Sequence, residues 1–592
     1  MQAGKPKAEC PSHLLFYAAV ALFVGGVVIL LDLFDGNLLI LDVDDRLRAL
    51  QIGLLASGQV SWFDLSIPAV RLPEVYNSPW SRLVDLPYVA IGWILAPIFG
   101  EASALRIAFS VWPFVMMGAF SASVAVFVHR VIDAAGWKPF RAGLVVCLVA
   151  LIMGPAFLEF SPGRIDHHNW QLLAMGCLMV GLQRYDRVGG LLIGLSSAVS
   201  LLVGLECLPF IVVAYAALVI AWLSKVPRAE AVMGAAGGSI AAACAVLGLI
   251  FVGPVGLTTA ACDTFSAPFA IAALGFGASL VAVGWYGEGL GVFRRLLALA
   301  AAAVPVLACI VLLYPDCLDG PYAMIDQTVK ANWLGRIPQE HGLLFQLWNG
   351  SINLLSLLLL LSLIAAWAVP VVWARRHEEP GQVLALAVGI AALVAAGVQL
   401  RYARFSVSLL PLFVPLIVAS ILGGRFQSLW RIRFVSLAML VAGMVLATLA
   451  LARKPARVEL IDIMADPCAQ ADFSALKEIA PGRVLAPHGL GLPLLEAGQG
   501  RLEVAAIPFH RAAPGLANAF SAFLSDDPVV RRSAAQNFDY VAVCALPDGV
   551  TFPGEGMYAA LINGNGWPGL IEWSSGALSP LRIFRIHHAQ FQ

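Results

Sequence analysis

Residues 142–183 read AGLVVCLVALIMGPAFLEFSPGRIDHHNWQLLAMGCLMVGLQ. Two apolar runs, 142–158 and 169–183, flank a polar turn, EFSPGRIDHHNWQ. Each run approaches the ~20 mostly apolar residues that carry a helix across a bilayer. Between them stand Glu159, Arg164, Asp166, His167 and His168. Charges and imidazoles at the rim of a membrane are costly, and they mark function more often than packing.

Working outward, the same apolar pattern recurs along the chain. Of 592 residues, 60% are hydrophobic and 12% charged, with a mean hydropathy of +0.83. A soluble chain carries about 25% charge, so this one lacks the polar surface to be soluble at its size. Disorder, collagen and coiled coil are excluded by the same numbers. Basic and acidic residues balance at 37 each, which gives no footing for nucleic acid. Thirteen segments read as spans: 14–31, 105–128, 142–158, 169–183, 189–204, 207–223, 231–253, 269–286, 296–314, 352–373, 383–399, 405–422 and 434–452. The run 86–99 has only 14 residues and reads as an interfacial helix. The first span follows Lys5 and Lys7 and reads as an uncleaved signal anchor.

Lysines and arginines set the orientation of such a chain. Alternate connections carry Arg130, Lys138 and Arg141; Arg184 and Arg187; Lys225 and Arg228; Arg294 and Arg295; Arg375 and Arg376; and Arg425, Arg431 and Arg433. Those loops face the cytoplasm, with the N-terminus inside. Thirteen spans then place 454–592 outside. That segment alternates strand-like stretches (Arg483–Ala486, Leu502–Ile507, Tyr540–Cys544, Leu581–Ile586) with helical ones near 473–479, 494–497, 515–524 and 529–537, the pattern of a layered α/β domain. The expected organisation is a membrane domain, 1–453, with long external loops at 32–104 and 315–351, followed by an external α/β domain, 454–592. Cys262 and Cys317 fall in outside loops, and Cys468 and Cys544 in the outside domain. An oxidising compartment permits both pairs as disulfides; buried thiols are the alternative.

The remaining charges collect on the outer side. Asp42, Asp44 and Asp45 follow the first span; Arg336, Glu340 and His341 lie in the loop 315–351; Arg401 and Arg404 begin a late span. Carboxylates and imidazoles are ligands for Mg²⁺, Mn²⁺ and related divalent ions. Arginine forks match phosphate oxygens. Metal with arginine at the outer membrane surface points to a lipid-phosphate substrate, with a carboxylate available to orient or deprotonate an acceptor hydroxyl. Taken singly, each cluster has a plainer reading: a helix start for Asp42, Asp44 and Asp45, a polar loop for the histidines, snorkelling for Arg401 and Arg404.

These motifs resemble the GT-C superfamily of polyprenyl-phosphate-dependent glycosyltransferases, and within it the catalytic subunit of oligosaccharyltransferases of the single-subunit bacterial and archaeal type. The resemblance implies a polytopic α-helical membrane protein of about thirteen spans with a C-terminal external α/β domain. Asp44, with Gly58 following at a family-like spacing, takes the place of the family's first-loop aspartate; Asp45 and Asp42 are close rivals. Asp166 matches the first member of the family's acidic-x-acidic motif, and His168 stands where the second acid is expected. Glu340 takes the place of the later loop's glutamate, and Arg404, in ARFSVSLLP, that of the arginine which contacts lipid phosphate. Thus Asp44, Asp166, His168 and Glu340 are the expected ligands of a divalent ion (Mn²⁺ or Mg²⁺). Asp44 or Asp45, Asp166 and Glu340 are the expected catalytic set, and Arg404 with Arg401 the phosphate site. Asp42, Trp80, Arg82, His167 and His341 are pocket candidates. The Trp-Trp-Asp motif that reads an Asn acceptor has no counterpart in 454–592; the nearest segment is APHGLGLPLLEAG.

The expected function is transfer of a sugar or glycan from a polyprenyl-(di)phosphate donor to a glycan, lipid or protein acceptor at the outer face of the cytoplasmic membrane. The rivals are a transporter or flippase of lipid-linked glycans, and an accessory subunit without catalysis. A transporter places its charges near mid-membrane, whereas here the span centres are nearly free of charge.

Overall fold

The computed structural model describes residues 11–33, 42–71, 73–287, 289–349, 352–423, 436–445, 459–469, 471–573 and 580–591. The chain divides into two compact units. One holds residues 1–41, 80–320 and 338–454; the other holds 42–79, 321–337 and 455–592.

The first unit is helical. Among the described residues, ten helices are long and apolar enough to cross a membrane, and an eleventh span forms if the bent pair Pro139–Ile152 and Gly154–Phe160 counts as one. Thirteen spans were expected, and most of 434–452 lies outside the described residues. Helix Arg82–Phe99 reaches 18 residues and qualifies, because it starts four residues before the apolar run 86–99. Arg82 and Asp85 enter its first turn as an ion pair at 3.0 Å, 1% and 0% exposed, so charged residues extend an apolar helix. Helices His168–Arg184 and Arg187–Val203 have 17 residues each, short of the length for a span. Of 434–452, only helix Ser436–Val445 lies within the described residues.

With no hydrophobic drive between helices inside lipid, close packing relies on small residues. Helices Ala229–Phe251 and Ala267–Tyr286 meet at Gly237 and Gly277. A Cβ on either would lie 2.6 Å from the other's carbonyl oxygen, so the two backbones touch where only glycine fits. Cys262 and Cys317 form a disulfide, with Cα atoms 5.0 Å apart.

The second unit is a seven-stranded mixed sheet. Its strands are β1 (Ser66–Arg71), β2 (Val75–Asn77), β3 (Gly482–Leu485), β4 (Leu502–Val504), β5 (Tyr540–Cys544), β6 (Leu570–Glu572) and β7 (Leu581–Ile586), in the order β2-β1-β4-β3-β5-β7-β6. The central pairs β1–β4, β4–β3 and β3–β5 are parallel; β2, β7 and β6 add antiparallel edges. Parallel neighbours need crossovers, which helices His488–Gly498, Ala513–Leu524 and Pro528–Ala535 supply. The apolar faces of Ala513–Leu524 and Pro528–Ala535 join Leu485, Val541, Val543 and Phe584 in one core, which also takes Ile325, Val329 and Trp333 from the loop segment 321–337. Cys468 and Cys544 are disulfide-linked. The alternating strands were legible, but the sheet also recruits SIPAVR from the first loop, where Val70 pairs with Val504.

Candidate functional site

The turn between the two opening runs is set by local chemistry. In Ser161-Pro162-Gly163-Arg164, the Arg164 amide donates to the Ser161 carbonyl at 2.9 Å, and Gly163 sits at φ +91°. Proline then glycine at the two central positions is the signature of a type II turn. Asn169 closes the loop by donating its side-chain amide to the Arg164 carbonyl at 3.0 Å. Helix His168–Arg184 starts directly afterwards. The turn thereby presents Asp166, His167 and His168, all buried, with one ligand atom from each lying within 4.8 Å of the others. Asp166 bonds to His167 Nδ1, and its other oxygen lies 3.2 Å from His168 Nε2.

Three helix breaks in the same unit bring further charge. Glu159 closes the bent pair at the end of Gly154–Phe160, accepts from Arg164 at 2.7 Å and forms an ion pair with Arg404 at 3.2 Å. Glu206 sits in the short turn Leu205–Cys207, where helix Arg187–Val203 ends and Leu208–Leu223 begins. Its Oε2 lies 3.3 Å from His168 Nδ1, and its Oε1 is bound by Arg401. Arg401, in the turn Leu400–Tyr402, also donates to Glu340 Oε1 at 2.8 Å. Gln399 reaches the other Glu340 oxygen at 3.4 Å. Four carboxylates (Glu159, Asp166, Glu206, Glu340) thus face three guanidinium groups (Arg164, Arg401, Arg404), with two imidazoles among them. Carboxylates outnumber the fixed cations, and the oxygen-plus-imidazole donor set fits a divalent ion.

The expected residues distribute as follows. Asp166, His167, His168, Glu340, Arg401 and Arg404 belong to this constellation or border it. Trp80 is buried, with its ring 6.1 Å from that of His167. Arg82 is engaged with Asp85. His341 stacks on Phe345 with ring centroids 3.9 Å apart. Asp42, Asp44 and Asp45 belong to the second unit. Asp42 caps helix Val43–Ala56, accepting from the Asp44 and Asp45 amides, and the buried Asp45 returns a bond to the Asp42 amide at 3.2 Å. This is a capping box; the Asp44 carboxylate takes no part in it. Glu206, Gln171 and Gln399 stand outside the site residues named from sequence. The signal for Glu206 was an acid within an apolar run; that for Gln171 was its place one helical turn beyond His168.

No family model matches the chain, and no curated relative is found. Solved structures do match it. The archaeal oligosaccharyltransferase AglB from Archaeoglobus fulgidus, in complex with an inhibitory peptide and a dolichol-phosphate, aligns with a TM-score of 0.59 at 12% identity, over 90% of this chain and 69% of that one. The Archaeoglobus fulgidus oligosaccharyltransferase in complex with Zn and sulfate aligns with a TM-score of 0.56 at 13% identity, over 89% and 68%. The same enzyme tethered to an acceptor peptide containing the NVT sequon aligns with a TM-score of 0.59 at 14% identity, over 90% and 69%. At these identities the likeness establishes the fold: a polytopic helical membrane protein with a C-terminal sheet-containing domain.

Proposed function

We propose that the protein is a GT-C glycosyltransferase that moves a sugar or glycan from a polyprenyl-(di)phosphate donor to an acceptor at the outer face of the cytoplasmic membrane. The observation that carries this reading is the Asp166–His167–His168 cluster, joined through Glu206 and Arg401 to Glu340 at breaks between apolar helices. It stands in a fold shared with an enzyme solved together with dolichol-phosphate.

In this reading Asp166, His168 and Glu340 hold a divalent ion; Asp44, the fourth ligand expected from sequence, belongs to the other unit. The two imidazoles favour Mn²⁺ or a similar transition ion over Mg²⁺, which prefers oxygen ligands; the zinc in one of the similar structures agrees with such a donor set. When bound, the ion supplies positive charge against the departing phosphate. Arg404 binds the lipid phosphate and leaves Glu159 to Arg164. Arg401, held between Glu206 and Glu340, adds to the positive field without being free to follow the substrate. Asp44, left out of the capping box, orients or deprotonates the acceptor hydroxyl. Trp80 and His167 line the sugar side. The absence of Trp-Trp-Asp leaves a glycan or lipid as open an acceptor as a protein.

The test is transfer from a polyprenyl-phosphate sugar by purified protein, before and after chelation. Chelation should stop transfer and Mn²⁺ restore it. Asp44→Ala, Asp166→Ala and Glu340→Ala should each abolish it with the fold intact. Near-normal activity in two of the three ends the metal-site model.

A further inference from the structure

Glu206 has no place in the proposed chemistry, yet it meets His167, His168 and Arg401. Its Oε2 lies 3.3 Å from His168 Nδ1 and 3.9 Å from His167 Nε2; its Oε1 is held by Arg401, whose other nitrogen reaches Glu340 at 2.8 Å. His168 Nδ1 has a second neighbour, Gln171 Oε1, at 3.4 Å. The orientation of that amide is itself fixed, because Gln171 Nε2 donates to the Gly204 carbonyl at 3.4 Å. Both groups facing Nδ1 are therefore acceptors.

A ring nitrogen between two acceptors carries the proton. Nε2 also faces an acceptor, the Asp166 carboxylate at 3.2 Å; once an ion is shared between Asp166 and Nε2, the lone pair of neutral His168 is committed to Nε2 and its proton is left to Nδ1, where Glu206 and Gln171 accept it. That is the form in which an imidazole binds a metal. Both Glu206 oxygens are already engaged, one by His168 and one by Arg401, so Glu206 orients ligands instead of being one. The same carboxylate fixes Arg401, and Arg401 fixes the Glu340 side chain.

We propose that Glu206 is a positioning residue that sets the tautomer and orientation of His168 and, through Arg401, the place of Glu340, so that the divalent ion meets a preformed site. This rests on the metal reading above. Orienting partners of this kind change metal affinity by about 10- to 100-fold when removed.

The measurement is metal binding without substrate. Full-length protein, purified in detergent and stripped with chelator, is titrated with Mn²⁺ while free Mn²⁺ is followed by electron paramagnetic resonance. Co²⁺ absorption spectra report nitrogen ligation separately. Wild type should bind Mn²⁺, and Asp166→Ala should lose it. Glu206→Gln, which keeps the shape and one acceptor, should weaken binding about tenfold and reduce the nitrogen signature of Co²⁺; Glu206→Ala should weaken it further, toward 100-fold. Gln171→Leu should have the smaller effect, since Glu206 remains. Wild-type affinity and an unchanged Co²⁺ spectrum in both Glu206 variants would overturn the inference while leaving the metal reading intact. No binding by wild type would end both.

Discussion

Two acidic helix starts, VDDR at 43–46 and IDHHN at 165–169, look alike on paper and do opposite work. In the first, Asp42 and Asp45 turn inward on their own backbone and close a capping box. In the second, Asp166 precedes the helix and spends its oxygens on His167 and His168. The difference lies in the surroundings. The helix Val43–Ala56 belongs to a unit built around a sheet, where an acid is most useful in satisfying free amides. The helix His168–Arg184 starts among breaks in apolar helices, where charges find each other because nothing else there can pair with them.

The comparison can be broken by experiment. The largest expected effect is on catalysis: Asp166→Ala should lower transfer on the order of 10³-fold with little change in thermal unfolding, whereas Asp42→Ala should leave transfer measurable. Equal losses from both would show that the two acidic starts serve one site. Next comes the buried pair in helix Arg82–Phe99. Arg82→Ala strands Asp85 in the interior and should cost about 3–5 kcal/mol, read as a loss of folded protein in a detergent thermal scan.

His488 provides a pH signature for the sheet unit. Burial pushes its imidazole down to about 4 from 6.5, so it stays neutral in the folded unit while the unfolded chain takes up a proton below pH 6.5. Stability is therefore full above pH 6.5 and declines as pH falls toward 4, by on the order of 3 kcal/mol in all. His488→Phe should flatten this decline in limited proteolysis of the sheet unit across that pH range. Asp42→Ala removes the cap and should cost about 1 kcal/mol. Smallest of all, Arg46→Ala breaks an ion pair with Glu496 at 3.2 Å in which both side chains are more than a third exposed, and should cost well under 1 kcal/mol.

The membrane character, the turn at 161–164 and four of the seven strands could be read from residues in order, because they follow from local rules. Apolar length makes a span, Pro-Gly makes a type II turn, and alternation makes a strand. Strand β1 escaped notice because its parallel partner Val504 lies more than 400 residues away, and its short hairpin with β2 carries no Asn-Gly or Asp-Gly turn to announce it. The start of helix Arg82–Phe99 was missed for a related reason: Arg82 and Asp85 interrupt the apolar pattern when read in order, and only their pairing removes them from solvent.

The site divides in the same way. Asp166, His167 and His168 are adjacent in sequence, and their chemistry was visible at once. Glu340, Arg401 and Arg404 were found from residue type and side of the membrane. Sequence alone fixed the kinds of groups gathered at the outer surface, because the scarcity of charge in an apolar chain makes each one conspicuous. Only the tertiary structure decided who pairs with whom: that Asp45 caps a helix, that Arg401 spans Glu206 and Glu340, and that Glu206 faces His168. Pairing depends on distances of about 3 Å between segments as far apart as Glu159 and Arg404 or Arg46 and Glu496, and no rule of local spacing encodes those.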